Sequence, residues 1–504
     1  MRKTPLALAL AVAALGFIPA AHATNGMNLE GYGPIATGMG GASFAYDNGN
    51  AAMMNNPATL GLAADGTSRL DVALGMLGPD VTSKMAGMPN ANSDGTAYFM
   101  PAVGWTKRNG AWTYGIGMFG QGGMGTEYGA NSLVSGYQSL LFASSGGLGG
   151  TQGASGQEAR SELGVGRVIF PVSYNVNQNL TVGGSLDFVW GGLDLKMPMS
   201  GAMFLDMMPG STNVLGAING ATSTMLGTLA GMMDTAIGGT CAAPAPACIQ
   251  DVNYAAFNFS NGNDFAQKTR GTGWAGKLGV VWKATPALTL GATYHSKTSL
   301  GDFEGSGTLS MNVDMNTPGG GLSGAPVTIP VTGRLSVVDF QWPETYGLGM
   351  AYQANDRWLV AMDYKRINWR DVMKNFHMKF VSDNSAGNIA NGLNNQVFEA
   401  NLFQNWDDQD VFELGVSYKY SNSLTMRAGL NLANNPIPAG NMNPLFPATI
   451  KNHYTLGLGY AFDKASEVNF SLTYAPNVSV TNPNIGVRTD HSQLNWQLMY
   501  TKLF

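Results

Sequence analysis

The chain has 504 residues but only two cysteines, and only 12% of its residues are charged, about half the usual share. It also lacks an excess of basic residues: Lys and Arg number 27 against 32 Asp and Glu. That balance gives no reason to expect nucleic acid as a partner. After the first two dozen residues there is no run of about 18 apolar positions, so no α-helical membrane span is expected. Histidine is scarce as well. His295, His377, His453 and His491 have no Ser or Asp partner at a recognisable motif spacing, so no enzyme is expected. No nucleotide-binding loop, cofactor site or His/Cys metal cluster stands out. The acids of "NWDDQD", Asp407, Asp408 and Asp410, do not follow a calcium-loop pattern.

What is present is glycine (68 residues), 10% aromatics and a distinctive amino terminus. "MRK", the apolar "LALALAVAALGFI" and "AHA" have the order of a secretory signal peptide, expected over residues 1–23 with Thr24 as the first mature residue. Its removal takes Arg2 and Lys3, leaving 25 bases against 32 acids. In an oxidising compartment, Cys241 and Cys248 of "CAAPAPAC" read as a disulfide.

The remaining chain alternates with a period of two. In "HYTLGLGYAF", Tyr454, Leu456, Leu458, Tyr460 and Phe462 share one face, opposite His453, Thr455, Gly457, Gly459 and Ala461. "EVNFSLTY", "LTMRAGLNL", "VFELGVSYKY" and "ETYGLGMAYQ" repeat the pattern. One face is apolar with aromatics at its ends, and the other is small and polar. This predicts an all-β transmembrane antiparallel barrel, in which every backbone N–H and C=O pairs within the wall. Short polar turns near 107–110, 177–179, 284–286, 354–356, 421–423 and 463–466 alternate with long insertions at roughly 120–165, 191–272, 297–344, 368–410, 433–452 and 477–490. Counting hairpins gives about fourteen strands over 69–504. Segments 302–314 and 327–338 are taken as one hairpin above the membrane; crossing separately, they would make sixteen. Asp187, Asp363, Glu413, Lys419 and Arg427 fall on the lumen side by parity. The last strand ends on Phe504, which resembles the C-terminal signature of outer-membrane barrels and names the barrel assembly machinery as a partner.

Residues 24–68 fit neither strand nor helix. They carry no Lys or Arg, and their only acids are Glu30, Asp47 and Asp65. A near-neutral Gly-, Asn- and Met-rich leader of this length suits a hatch threaded into the lumen, pinned at the corner Asn55, Asn56, Pro57 and Ala58, with a disordered periplasmic leader as the alternative. The outer loop 191–272 is Met-rich. Val214, Ile218, Met225, Leu229 and Met232 recur at helical spacing, predicting amphipathic helices. With Met203, Phe204, Met207 and Met208 they make a candidate capture surface for apolar ligands, or a roof that buries its own Met residues. Lys365, Arg366, Arg370, Lys374 and Lys379 cluster at the outer end of a strand. Of these Lys365, Arg366 and Arg370, together with Arg427 in the lumen, are candidate contacts for a substrate carboxylate or lipopolysaccharide.

"GYGPIATGMGGASFAYDNGNAAMMNNPATLG" resembles the hatch of FadL-type outer-membrane transporters of long-chain fatty acids and other hydrophobic compounds, with Asn56, Pro57 and Ala58 on the family's Asn-Pro-Ala motif. "PALTLGATYHSKTSLGDFEG", "DRWLVAMDYKRINWRD" and "LTMRAGLNLANNPIPAG" continue the resemblance. It implies a monomeric barrel in the outer membrane, plugged by its hatch, that passes hydrophobic molecules without an energy source. It also implies sideways exit near a kinked third strand. Here that strand is 112–123, with Gly115, Gly117, Gly120, Gly122 and Gly123 able to supply the kink. Fatty acids are the leading expected substrate. An aromatic or aliphatic hydrocarbon channel is the alternative, and a general porin is the third reading.

Overall fold

A computed structural model describes residues 24–135, 156–237, 239–241, 248–262, 267–316 and 326–504; the expected signal peptide lies outside these. Sixteen strands build the wall and its tallest hairpin. In chain order they are β1 (Ser68–Leu77), β2 (Tyr98–Asn109), β3 (Trp112–Tyr128), β4 (Ala159–Asn175), β5 (Leu180–Ser200), β6 (Thr269–Lys283), β7 (Leu288–His295), β8 (Phe303–Met315), β9 (Val327–Val338), β10 (Thr345–Asn355), β11 (Trp358–Ile367), β12 (Gln409–Lys419), β13 (Leu424–Ala433), β14 (Asn452–Ala461), β15 (Ser466–Asn482) and β16 (Val487–Leu503).

Every pairing around the wall is antiparallel. β1 to β7 pair in sequence, β7 pairs with β10, β10 to β16 follow in order, and β16 returns to β1 from Arg69↔Leu503 to Met76↔Trp496. The expected count of about fourteen covers only this ring. It is corrected to sixteen by β8 and β9, which pair with each other and reach β6 at Arg270↔Glu304. They stand on the ring rather than beside it, since β7 already bonds to β10 beneath them.

Alternation has the physical effect expected of it. Tyr454, Leu456, Leu458 and Tyr460 are exposed outward, while His453 and Thr455 are buried in the lumen. Leu278, Leu348 and Phe412 extend the same outward apolar band, the surface a bilayer covers. Aromatics pair across neighbouring strands at both ends of the band. Trp112–Tyr174 and Trp358–Tyr418 mark the short-turn end, with ring centroids 4.6 and 4.5 Å apart; Tyr294–Tyr346 and Tyr454–Tyr474 mark the other. Of the residues assigned to the lumen, Lys419 is instead exposed, because β12 ends there. The insertion expected at 477–490 is mostly β15 and β16 running on beyond the ring.

The wall is tallest over β4 to β9. Strands Ile249–Phe259, Asn375–Ser382 and Val397–Phe403 join β5, β8 and β9 there and enclose a Met- and Phe-rich core. Residues 24–62 lie inside the ring, nearly all buried.

Candidate functional site

The inner segment is held by wall groups that reach its backbone. Asp363 on β11 accepts the N–H groups of Ser43 (2.6 Å) and Phe44 (2.9 Å). Asp71 on β1 accepts from Asn50 N–H (2.7 Å), and Arg69 clasps Asp47 through two bonds of 2.7 Å. The Asn-Asn-Pro-Ala corner begins a 3-10 turn, Pro57–Leu62. The Asn56 side chain accepts Ala58 N–H (3.1 Å) and donates to the carbonyls of Phe44 (2.8 Å) and Val280 (3.3 Å). Asn55 donates to the Tyr32 carbonyl and to the Asn48 side chain, both at 3.0 Å. Ser173 on β4 donates to the Pro57 carbonyl at 2.5 Å. β6 approaches closely enough that a Cβ at Gly279 would overlap Asn56 Oδ1.

The wall has a break. The β2–β3 ladder ends at Val103↔Met118, although both strands continue. Pro101, two residues further along β2, has no N–H to offer a neighbour. β3 then bulges: its register on β4 shifts between Gly120 and Gly122. Into this bulge comes the start of the inner segment. Gly123 N–H donates to the Met27 carbonyl (3.0 Å), and Asn28 bridges Gly122, whose φ of 149° belongs to glycine. A Cβ at Gly122 would meet the Met27 carbonyl. Gln121 donates to Asn28 Oδ1 (2.9 Å), Tyr32 donates to the Gln121 carbonyl (2.6 Å), and Trp342 donates to Asn28 Oδ1 (2.9 Å).

A cavity of about 270 Å³ occupies the break. Its lining runs from Thr24 and Gly26 inside to Phe99 and Met118, which are exposed on the outward face. Phe119, Met100, Leu163, Val165 and Trp190 make it largely apolar. Among the described residues lining it there is no Lys or Arg. Its one carboxylate, Glu162, is engaged by Arg160 (2.7 Å) and Gln267 (3.1 Å).

Of the glycines expected to supply a kink, Gly120, Gly122 and Gly123 lie at this site. Gly115 and Gly117 face Thr106 and Phe119 lower on the strand. The expected cationic cluster is divided. Lys365 points into the lumen and pairs with Glu413 (2.8 Å). Arg366 binds Asp408 and Asp410 (both 2.9 Å), and Arg370 binds Asp407 (2.5 Å). The acids of "NWDDQD" are therefore the partners of these arginines. Arg427 donates to Asn469 (2.9 Å) beside the inner segment. None of these four lines the cavity.

The Met-rich loop forms two short helices, Gly201–Asp206 and Thr224–Met232. Phe204, Met207, Met225 and Leu229 are buried in the outer core, with Met203, Met208 and Met232 packed against it. Val214 and Ile218 do not continue a helix as their spacing suggests. Gly216–Ile218 is a strand bonded to 400–402, where a free ladder edge outcompetes an isolated turn. Cys241 and Cys248 are disulfide-bonded.

Sequence reasoning passed over one further group. Arg167, Lys277 and Asp187 form a buried ion cluster: Arg167 reaches Asp187 at 2.9 Å, and Lys277 bonds the same carboxylate. Its three members lie on three strands, so only Asp187 was singled out, by parity.

A closed antiparallel barrel with an apolar outer band and an occupied lumen defines an outer-membrane protein of the transport class. The chain belongs to the outer membrane protein transport protein family (OMPP1/FadL/TodX), whose model matches residues 151–497. It is similar to the Pseudomonas putida toluene transporter TodX, 32% identical over 95% of this chain and 100% of that one, TM-score 0.72. The Ralstonia pickettii toluene transporter TbuX is 29% identical over 95% and 99%, TM-score 0.66. The long-chain fatty acid transport protein of Escherichia coli (strain K12) is 22% identical over 220 residues. A protein from the 5′ region of a phosphoenolpyruvate carboxykinase gene in Chlorobium limicola is 46% identical over 96 residues. The matched stretches span 44% and 46% of those two proteins' lengths, less than half.

Proposed function

We propose that this protein passes small uncharged hydrophobic molecules, monoaromatic hydrocarbons first among them, from the outer surface into the plane of the membrane through the break between β2 and β3. The observation that carries this reading is the cavity at the break. Its volume of about 270 Å³ exceeds the ~150 Å³ of an apolar cavity that takes benzene and falls just below the ~300–1,000 Å³ of drug-sized sites. No Lys or Arg among its described lining residues would receive a carboxylate. The two toluene transporters it resembles along nearly their whole length support the same class. In this reading residues 24–68 act as a hatch whose first residues close the break, and apolar partition toward lipid gives the direction.

A second reading, long-chain fatty acids, draws on the Arg167–Lys277–Asp187 cluster, which holds one positive charge in excess. A carboxylate would have to displace Asp187 there. Processing after Ala23 would also bring the α-amino group of Thr24 to the cavity.

A disulfide across the break tests the route. A Cβ at Gly120 would stand 3.5 Å from the Met100 Cβ, within the range a disulfide spans. Oxidised Met100→Cys/Gly120→Cys protein is expected to lose toluene uptake and to recover it on reduction. Uptake indifferent to the staple would refute lateral exit. Restored oleate uptake without toluene would favour the second reading.

A further inference from the structure

Trp190 lines the cavity from the outward face of the wall. Its neighbours along β5, Asp187 and Val189, are buried in the lumen, so by alternation Trp190 points outward, as Leu186 does. Gly166 on β4 faces outward in the same way, next to the lumen residue Arg167. Gly120, Gly166 and Trp190 form one row across β3, β4 and β5. The row starts at the edge of the break, since Gly120 lies beyond the last β2–β3 pair, Val103↔Met118.

The indole lies back along this row. A Cβ at Gly166 would overlap Trp190 Cζ2, with Cε2 at 2.5 Å and Cη2 at 2.9 Å. A point that close to three consecutive ring atoms lies over the face of the indole rather than beyond its edge. Gly166 is accordingly buried although it faces outward. The ring is thus laid flat on the strip that Gly166 leaves bare, with its six-membered edge toward Gly120. Neighbouring strands are about 4.8 Å apart, so that edge stands about one strand from the break.

We propose that Trp190 sorts rings at the lateral exit: a molecule leaving the break over Gly120 packs against it, and aromatic hydrocarbons are favoured over saturated ones of the same size. This rests on the hydrophobic-conduit reading and names the residue behind its substrate class. Aromatic pairs gain from offset-stacked and edge-to-face contact beyond the area they bury, because each ring has a negative face and a positive edge. Methylcyclohexane is close to toluene in size but lacks that charge pattern, so burial alone treats the two alike. A Trp that only anchored the wall in the membrane interface would treat them alike too.

The test is initial uptake of radiolabelled toluene and methylcyclohexane by a deletion strain producing the full chain, wild type beside Trp190→Leu and Trp190→Phe. The toluene-to-methylcyclohexane ratio is expected to fall about 2- to 12-fold in Trp190→Leu. It should stay near wild type in Trp190→Phe, which keeps a ring. An unchanged ratio in Trp190→Leu, with toluene uptake still above the empty strain, would overturn the assignment: Trp190 would then be an interfacial anchor, and the conduit reading would stand. A wild-type chain that raises uptake of neither compound would overturn the conduit reading itself. If Trp190→Leu does not assemble, Gly166→Ala decides. Its Cβ lifts the ring off the wall, so a fall of about 2-fold or more is expected, and an unchanged ratio refutes the assignment.

Discussion

Asn56→Ala should loosen the inner segment by an amount the structure lets us work out. The side chain caps Ala58 N–H and donates to two carbonyls, those of Phe44 and Val280. Loss of an N-cap costs about 1 kcal/mol. Leaving the buried Phe44 carbonyl unpaired adds about 1–3 kcal/mol. The longer bond to Val280, a carbonyl already in a ladder, adds little. The total is about 2–4 kcal/mol, and 3 kcal/mol corresponds to roughly a 150-fold rise in the unseated population. Single-channel recording in planar bilayers reads that population as open time. Asn56→Asp keeps the acceptor for Ala58 but turns a carboxylate oxygen toward the Phe44 and Val280 carbonyls in a fully buried site, so it should unseat the segment at least as much as Asn56→Ala. If both variants matched the wild-type trace while remaining folded barrels, the idea that this corner fastens the segment would be wrong.

Other positions give separate checks. Asp363→Ala removes the acceptor of the Ser43 and Phe44 N–H groups, leaving two buried donors unpaired at about 1–3 kcal/mol each, and should raise open time without changing barrel stability in heat-shift electrophoresis. Burial lifts the Glu30 carboxyl from its ordinary 4.5 to about 7. The seated segment therefore binds a proton more tightly than the released one. Seating is strongest below about pH 4.5 and weakens as pH rises toward 7, by about 3 kcal/mol. Open time should rise over that interval in wild type and stay level in Glu30→Gln. Gly122→Ala puts a Cβ against the Met27 carbonyl at a φ that L residues avoid. It should displace Met27 and Asn28 and speed labelling of a cysteine placed at Asn28.

The wall was legible because alternation is a local property: each strand's outward face can be counted without knowing its neighbours. Tyr454 to Tyr460 stand outward for that reason. The break was legible only in part. Gly120 and Gly122 suggested a weak place in the third strand, but the ladder stops also because Pro101 on the adjoining strand has no N–H. The cavity draws on residues from Thr24 to Gln493, a set that no spacing rule assembles. Charges were the least legible feature. Arg366 and Arg370 looked like free cations, and Asp407, Asp408 and Asp410 looked like a separate acidic loop; about forty residues apart in sequence, they are each other's partners.

The seam between β1 and β16 joins the chain's first wall strand to its last. The ring therefore cannot zip shut until its final residues have been made and threaded, whereas the segment that fills it is among the first to emerge. A segment seated before that seam forms would be enclosed without threading a finished pore, like a ship in a bottle whose glass is blown afterwards. Its contacts with Asp363 and Asp71 would then guide the bending sheet as well as fasten the segment.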